Sequence, residues 1–233
     1  MMALKTAPPK GTRQNGGTGR SESLLKQRAY LELKTRIQDG TFSSGDFLSE
    51  RQLATLLGMS KTPVKAALER LEAEGFISVS PQQGIVVREL TVHEVADHFE
   101  IREALETYVL RAISGRIHPE QIRRLQANLE ATRAAATAHD VPRSVELDAE
   151  FHLLACEFFG NQAIIGVMMQ LRDKIHRVVS FVSQRDPDRL MASCEEHAGI
   201  AQAMLSGDGE LAAQRLVQHL EYGKQFLLSP RSR

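Results

Sequence analysis

Four residues in the C-terminal half of the chain carry side chains that can bind a transition-metal ion. Asp148 and His152 lie four positions apart in a segment of helical periodicity, so both side chains project from the same helix face. His197 and His219 lie in two later segments of the same kind. One carboxylate and three imidazoles suit Zn²⁺, and also Ni²⁺ or Mn²⁺, so we predict a divalent metal site with Zn²⁺ as the favoured ion.

The four residues also have a purely structural interpretation. An Asp–His pair at i, i+4 is common on helix surfaces, where it binds no metal. His152 follows Phe151 and His219 precedes Leu220, so both imidazoles lie near apolar faces, where a buried ring needs a polar partner. Spacing along the chain leaves both interpretations open, because it does not report proximity in space.

A second group of residues, near the N-terminus, suits contacts with DNA. Lys61, Thr62 and Lys65 place two cations and a hydroxyl at the leading end of a short predicted helix. Ser60 is the candidate N-cap of this helix, and Pro63 lies in its first turn, where a missing N–H costs little. The apolar residues of the helix repeat at i, i+4 and i+7, namely Val64, Leu68 and Leu71.

This helix follows another short helix across a tight turn. The first helix is predicted to begin at the cap candidate Ser49 and to end at Leu57, with Gly58 supplying a positive φ. Two helices in this arrangement, with cations at the start of the second, are typical of a helix-turn-helix that reads the DNA major groove.

Two short β-branched segments follow the helix-turn-helix. Residues 76–80 and 85–88 are predicted strands, joined by a hairpin connection that ends with Gln83 and Gly84. The sequence therefore predicts a winged helix-turn-helix domain over residues 23–89.

The segments before the helix-turn-helix complete this domain. An amphipathic helix is predicted from Leu24 to Gly40, followed by a loop from Thr41 to Leu48. Residues 1–22 are basic and rich in glycine and proline, so we predict a disordered leader there.

Strand patterns stop at about Thr91, and six segments of helical periodicity follow. The breaks between them fall at Gly115–His118, Asp140–Arg143, Gly160–Asn161, Arg185–Pro187 and Gly207–Gly209. Residues 90–230 are therefore predicted to form an all-helical bundle of about six helices that carries the four candidate metal ligands. The predicted fold class is mainly α.

Composition limits the classes of function. A chain of 233 residues with 42% hydrophobic and 25% charged residues is typical of a two-domain globular protein. Its net charge of zero conceals an asymmetry, since residues 1–90 carry 13 Lys and Arg against 9 Asp and Glu and the remainder carries 16 against 20. A basic first domain suits DNA, because neutralisation of phosphates drives that affinity.

The sequence also predicts the compartment. No apolar segment approaches the ~18 residues that a membrane-spanning helix needs, and the N-terminus lacks the apolar core of a signal peptide. Cys156 and Cys194 lie in apolar helical patterns without motif spacing, so we expect buried, reduced thiols. We therefore expect a cytoplasmic protein with no membrane partner.

These motifs, in this order, strongly resemble the GntR family of bacterial transcription regulators, in its FadR-like branch with a metal-binding FCD-type ligand domain. The matching motifs are G-T-F-x-x-G-D-x-L-S-E-R-Q-L-A at 40–54, S-K-T-P-V-K-x-A-L-x-x-L-x-x-E-G at 60–75, Gln83-Gly84, E-I-R-E-A-L-E at 100–106, D-x-x-F-H at 148–152, E-H-x-x-I at 196–200 and H-L at 219–220.

The resemblance implies a set of residues that contact operator DNA, namely Arg51, Ser60, Lys61, Thr62, Lys65, Gln83 and Gly84. Positions 61 and 65 depart from the family, which usually has arginine there. Arginine binds guanine O6 and N7 with two donors, whereas lysine is a point charge that binds a base edge or a phosphate. Which contacts determine the operator sequence is therefore left open.

The resemblance also implies roles in the helical domain. Asp148, His152, His197 and His219 fall on the metal ligands. Arg102 falls where an arginine commonly binds the carboxylate of a small organic acid, a pairing that guanidinium geometry favours. The alternative for Arg102 is an ion pair with Glu106 at i+4.

The resulting hypothesis is a homodimeric repressor that binds a palindromic double-stranded DNA operator and is released by a small carboxylate, such as a sugar acid, at the metal site. Three alternatives remain: a regulator for which the metal ion itself is the signal, a metal-dependent hydrolase, and a sequence-indifferent architectural DNA-binding protein. The hydrolase lacks a recognisable base motif, and the modest positive charge of the first domain is small for an architectural protein.

Overall fold

The computed structural model describes residues 16–80, 84–89, 91–186 and 188–228, and the chain divides into two compact units between Glu89 and Leu90. The described residues are mainly helical, with one small sheet in the first unit.

The N-terminal unit is a winged helix-turn-helix. Its elements are α1 (Gly16–Gln38), β1 (Phe47–Leu48), α2 (Glu50–Leu57), α3 (Lys61–Ala73), β2 (Ile77–Ser80) and β3 (Gly84–Val87). The strands form an antiparallel sheet in the order β1-β3-β2, with Val79 opposite Ile85 and Leu48 also opposite Ile85. This architecture confirms the predicted fold class of the first half.

Local sequence accounts for the turn between α2 and α3. Ser49 caps α2 in a capping box with Gln52, in which each side chain binds the backbone N–H of the other residue. Gly58 ends α2 with a φ of 61°, a left-handed conformation that favours glycine. Ser60 occupies the N-cap position of α3, but its side chain makes no capping hydrogen bond, so that part of the prediction is wrong.

Two boundaries differ from the prediction. The segment expected to be a loop from Thr41 to Leu48 ends in β1, whose two residues are too few to show a strand alternation and are fixed only by pairing with β3. Helix α1 begins at Gly16 and not at Leu24, so it overlaps the predicted disordered leader. An i, i+4 ion pair of 2.8 Å between Glu22 and Lys26 supports the extension. Residues 1–15 of that leader lie outside the described residues.

The core of the N-terminal unit packs the second helix of the helix-turn-helix against α1 and the sheet. Val64, Leu68 and Leu71 on α3 are buried, as their spacing predicts. They share one hydrophobic cluster with Leu33 of α1 and Ile77 of β2. The opposite face of α3, with its cations, therefore remains at the surface.

A polar cluster also joins α1 to the end of α3. The hydroxyl of Tyr30 donates to Glu74 Oε2 at 2.7 Å, and Arg70 Nε donates to Glu74 Oε1 at 2.9 Å. The Arg70 guanidinium also lies 3.6 Å from the Tyr30 ring centroid. Burial raises the pKa of Glu74, but the hydrogen bonds from Tyr30 and Arg70 outweigh it and lower the pKa.

The C-terminal unit contains six α-helices in its described residues, as predicted. They are α4 (Val92–Ile113), α5 (Pro119–Thr137), α6 (Val141–Phe159), α7 (Gln162–Arg185), α8 (Arg189–Leu205) and α9 (Gly209–Leu228). Thr91 and Glu94 form a capping box at the start of α4, and Gly160 ends α6 with a φ of 83°. Each predicted break between helices coincides with an observed one.

A large apolar cluster fills much of the interior of this unit. The cluster includes Val109, Phe151, Ile200 and Leu216, and Cys156 belongs to it as well. Cys156 and Cys194 are both buried and unpaired, as expected. Among the described residues, no helix has the length and hydrophobicity that crossing a membrane requires.

We expect Glu74→Gln to destabilise the N-terminal unit of the full-length chain by about 1 kcal/mol at pH 7, because it removes a charged acceptor from two hydrogen bonds. The lowered pKa means that this contribution is fully present above pH 4.5, the usual value, and is lost progressively as the pH falls through the lower pKa of the folded protein. Urea unfolding followed by circular dichroism at pH 7 and pH 4 should show a smaller difference in stability between the two proteins at the lower pH. Glu69→Gln, an exposed change on the same helix, serves as the control, and an equal effect there would contradict the prediction.

Candidate functional site

The four predicted metal ligands meet inside the C-terminal unit. Helix α6 contributes Asp148 and His152 on one face, α8 contributes His197 and α9 contributes His219. One potential ligand atom from each lies within 4.8 Å of all the others, and all four residues are buried. The spatial convergence that sequence spacing left open is therefore present.

The three imidazoles approach each other through the same ring nitrogen. His152 Nε2 lies 3.3 Å from His219 Nε2, and His219 Nε2 lies 3.2 Å from His197 Nε2. Asp148 Oδ1 lies 3.5 Å from His197 Nε2.

A carboxylate fixes the tautomer of His152. Its Nδ1 lies 2.6 Å from Glu106 Oε2, and the other Glu106 oxygen accepts a 2.8 Å hydrogen bond from Arg102 Nε. Burial raises the pKa of Glu106, but His152 and Arg102 outweigh it and bring the pKa to about 2. An ionised Glu106 accepts a hydrogen bond from the Nδ1–H of His152, which leaves the lone pair of His152 on Nε2.

A second carboxylate does the same for His219. Its Nδ1 lies 2.6 Å from Glu196 Oε2, and Arg189 binds both Glu196 oxygens through its two terminal nitrogens at 2.5 and 2.6 Å. Burial raises the pKa of Glu196, but the hydrogen bonds from His219 and Arg189 bring it to about 2. Arg189 in turn lies 4.1 Å from the ring centroid of Tyr222.

His197 is held by packing. It is fully buried, its ring stacks on Phe151 with a centroid distance of 4.1 Å, and its Nδ1 has no hydrogen-bond partner. Burial lowers the pKa of His197 well below its usual value, with further lowering by the neighbouring His219 and His152. His197 is therefore neutral near pH 7, the form that binds a metal.

These residues fit a divalent transition metal. With Nδ1 of His152 and His219 donating to carboxylates, their Nε2 atoms are both acceptors and cannot form a hydrogen bond with each other. Two nitrogens bound ~2.0 Å from one zinc ion at a tetrahedral angle lie about 3.3 Å apart, close to the observed separations. A cation between the nitrogens removes the repulsion of their lone pairs, and Asp148 contributes the negative ligand.

A cavity of about 620 Å³, counting its open mouth, adjoins this cluster. Asp148 and His219 line it from the metal side, and Arg102 and Ser144 line it as well. Arg102 is only 3% exposed, and its Nη2 has no hydrogen-bond partner, nor has the buried Ser144 Oγ. The cavity therefore offers a cationic donor and a hydroxyl to a ligand beside the metal ligands.

Both interpretations of Arg102 describe part of its environment. Its Nε forms the predicted i, i+4 ion pair with Glu106, with both side chains buried. Arg102 also lines the cavity, and its buried Nη2 has no hydrogen-bond partner.

Three contacts of the site were not predicted: Glu106 with His152, Glu196 with His219, and Arg189 with Glu196. Glu106 was named only as the alternative partner of Arg102, and Glu196 lies directly before His197 in a motif that carries the resemblance, so a signal for both was present. Arg189 and Glu196 lie seven positions apart in α8, a spacing that places them near the same helix face, so this pair also had a local signal.

The predicted DNA-contact residues of the helix-turn-helix lie at the surface. Arg51, Ser60, Lys61, Thr62 and Lys65 are exposed. Lys61, Thr62 and Lys65 line a shallow groove that also includes Lys26 of α1. Lys65 Nζ lies 4.0 Å from Glu69 Oε1, and both side chains are largely exposed. An exposed ion pair of this kind is weak, so it does not prevent Lys65 from binding a phosphate.

The wing is described only in part. Gln83 lies outside the described residues, so its predicted DNA contact has no structural description. Gly84 begins β3 with a φ of 81°, and a Cβ there would lie 3.2 Å from the carbonyl oxygen of Leu48. This position therefore needs glycine for its backbone conformation, whatever its part in DNA binding.

Known proteins resemble both units. Residues 25–87 match the family of bacterial regulatory proteins, gntR family, and residues 97–222 match the FCD domain. The HTH-type transcriptional repressor RspR of Escherichia coli (strain K12) is 28% identical over 199 residues, 84% of this chain and 86% of the relative. The HTH-type transcriptional regulator YdhC of Bacillus subtilis (strain 168) is 25% identical over 201 residues, 85% of this chain and 88% of the relative.

A solved structure has a similar fold. The structure of E. coli McbR/YncC, 23% identical, superposes with a TM-score of 0.75 and covers 88% of this chain and 97% of its own. The matched families and relatives are transcription regulators and not enzymes, which argues against the hydrolase alternative.

We expect the purified chain to bind about one divalent ion per molecule, because four buried ligand atoms converge on one point. His197→Ala should abolish this stoichiometry, whereas His93→Ala, at an exposed histidine of the same unit, should preserve it. Elemental analysis by mass spectrometry measures both. Chelation should also lower the melting temperature of the unaltered chain, since an ion that binds only the folded state stabilises it. Full metal content in the His197 variant would contradict the assignment.

Proposed function

The chain belongs to the gntR family of bacterial regulatory proteins with an FCD domain, and on that basis we propose that this DNA-binding transcription regulator is a homodimeric repressor released from a palindromic operator by a small carboxylate bound beside a divalent metal ion. The observation that carries the proposal is the buried, unpartnered Nη2 of Arg102 in the cavity beside Asp148 and His219. Its operator lies on DNA in the cytoplasm.

The operator-binding step is assigned to α3. Its cations at positions 61 and 65 are exposed on the face opposite the packed residues Val64 and Leu68. A recognition helix of this type enters the major groove with its N-terminal residues at the base edges. Thr62 supplies a hydroxyl that can bind a base or a phosphate.

A palindromic operator follows from two-fold symmetry. Related half-sites one helical turn apart match a dimer that presents two copies of α3. The few cations on one helix-turn-helix give modest affinity, and a second copy adds its phosphate contacts to the same complex.

The effector is assigned to the cavity. Arg102 binds its carboxylate, since a guanidinium N–H gains most from a charged acceptor in a buried site. Ser144 offers a donor and acceptor to a hydroxyl group of the same ligand, which favours a hydroxy acid such as a sugar acid. A bound metal ion supplies an open coordination position for an oxygen of that ligand.

Release of DNA requires a difference in affinity. A ligand shifts the protein only by binding the DNA-competent state less tightly than the incompetent one, and DNA then weakens ligand binding by the same factor.

A metal-sensing regulator is the second candidate. The ion pairs Arg102–Glu106 and Arg189–Glu196 orient two of the histidines, because each glutamate also binds a histidine Nδ1. These contacts form without an organic ligand. This arrangement suits a site in which the ion itself is the signal.

We expect Lys61→Ala and Lys65→Ala each to weaken operator binding, on an operator selected from fragmented genomic DNA. Loss of a base contact costs about 1–3 kcal/mol of binding free energy and relaxes the sequence preference. Loss of a phosphate contact weakens binding to all sequences alike, and it reduces the slope of log binding constant against log salt concentration by about one. Gel-shift titrations at several salt concentrations distinguish the two. Arg116→Ala, an equal loss of charge at an exposed position of the other unit, should bind normally. Unchanged affinity in both lysine variants would refute the assignment of α3.

We expect at least one sugar acid or dicarboxylate to raise the melting temperature of the zinc-loaded chain and to weaken its operator binding. Arg102→Gln should abolish both effects, whereas Arg143→Gln, at an exposed arginine paired with Glu146, should keep them. A thermal-shift screen followed by gel-shift titration provides the measurement. Indifference to every carboxylate, with reversible loss of operator binding on chelation, would favour the metal sensor instead.

A further inference from the structure

The buried polar groups around the metal ligands form two arms of different design. Each arm runs from an arginine through a glutamate to the Nδ1 of a metal-binding histidine. In the first arm Arg102 binds one oxygen of Glu106 through Nε alone, at 2.8 Å. In the second arm Arg189 binds both oxygens of Glu196 through its two terminal nitrogens.

Both arginines line the cavity, but they differ in their partners. The buried Nη2 of Arg102 has no hydrogen-bond partner. The terminal nitrogens of Arg189 are already used by Glu196, and its guanidinium is further held against Tyr222. A ligand in the cavity can therefore enter the hydrogen-bond chain of the first arm without breaking a contact.

We propose that Glu106 is a positioning residue that transmits the state of Arg102 to His152, so that Arg102 determines metal affinity without touching the metal and an anion bound by Arg102 tightens the metal site. The effect of the anion rests on the proposed function, whereas the effect of Arg102 on metal affinity does not.

Geometry explains the transmission. Glu106 is 2% exposed, so its carboxylate has no water to replace a lost partner. Donation from Arg102 to Oε1 fixes the carboxylate plane, and that plane places Oε2 at 2.6 Å from His152 Nδ1. A carboxylate that binds the other nitrogen of a metal-bound imidazole orients the ring and raises its basicity as a ligand.

The sign of the coupling follows from the same geometry. An anion bound at Arg102 Nη2 gives the guanidinium a second partner, which restricts its motion and holds Nε against Glu106 Oε1. Glu106 Oε2 then holds His152 Nδ1 more firmly, so Nε2 of His152 is better oriented toward the metal. By reciprocity, the metal strengthens anion binding by the same factor.

The relay is tested with zinc alone on the full-length chain, by competition with a fluorescent chelator. Glu106→Gln, which keeps the side-chain shape, should weaken zinc binding about 10- to 100-fold. Arg102→Gln should weaken it about 10-fold, although removal of a nearby cation would by simple repulsion tighten it. The direction of the change therefore separates transmission through Glu106 from a through-space effect.

The double variants complete the test. In the Glu106→Gln background, Arg102→Gln should cause no further weakening, because the path to His152 is already cut. The Glu196→Gln background is the matched control on the other arm. There, Arg102→Gln should still weaken zinc binding about 10-fold. Arg102→Lys keeps the charge and a donor and should restore part of the affinity, and circular dichroism confirms that each variant is folded.

Zinc affinity that is unchanged or tighter in Arg102→Gln, or an equal weakening in both glutamine backgrounds, would overturn the relay. A last measurement repeats the zinc titration in the presence of D-gluconate as the probe anion. If the zinc-only cycle behaves as expected but no carboxylate alters zinc affinity, the relay stands and the effector assignment fails.

Discussion

The C-terminal unit is organised around a buried site in which His219 Nε2 lies 3.3 Å from His152 Nε2 and 3.2 Å from His197 Nε2. Such nitrogens repel each other unless a proton or a cation lies between them, and the Nδ1 contacts of His152 and His219 with carboxylates direct the lone pairs inward. The histidines come from α6, α8 and α9, so one small centre constrains the relative positions of three helices. A divalent ion is the simplest group that satisfies this centre, and its binding free energy then contributes to the stability of the folded bundle.

The arginine–glutamate pairs around the centre are better explained by positioning than by stability. Removing two charges from water costs several kcal/mol per ion, and a buried pair often contributes little more than an apolar replacement would. Arg102 and Glu106 are almost fully buried, so their ion pair carries this desolvation cost. Each glutamate also binds a histidine, which an apolar pair could not do. The cost of these buried charges is therefore offset by control over the tautomer and orientation of the metal ligands.

The features that could be predicted from the sequence are those that depend on residues close together in the chain. The N-cap at Ser49, the left-handed glycine at position 58 and the breaks between the six later helices depend on a few adjacent residues, and the structure has them as predicted. Strand β1 was missed because a two-residue strand exists only through its partner β3. The contact of Glu196 with His219 was missed for a similar reason, since it joins α8 to α9. The candidate metal ligands could be named from residue type and helical phase, but their convergence required the packing of distant helices.

The two lysines of α3 impose a limit on how the chain can achieve specificity. Lysine lacks the fork with which arginine reads guanine, so Lys61 and Lys65 supply charge more readily than sequence information. The acidic balance of residues beyond 90 adds no attraction for phosphate, so affinity must come from the small N-terminal unit. One such unit has few cations, and DNA offers very many nonspecific sites that compete for it. In the proposed dimer, selectivity comes from requiring two copies of α3 to meet two half-sites at once, so the spacing between the copies becomes part of operator recognition. A ligand that alters this spacing would change operator affinity without touching α3, which is a physical reason to propose an effector site in the C-terminal unit.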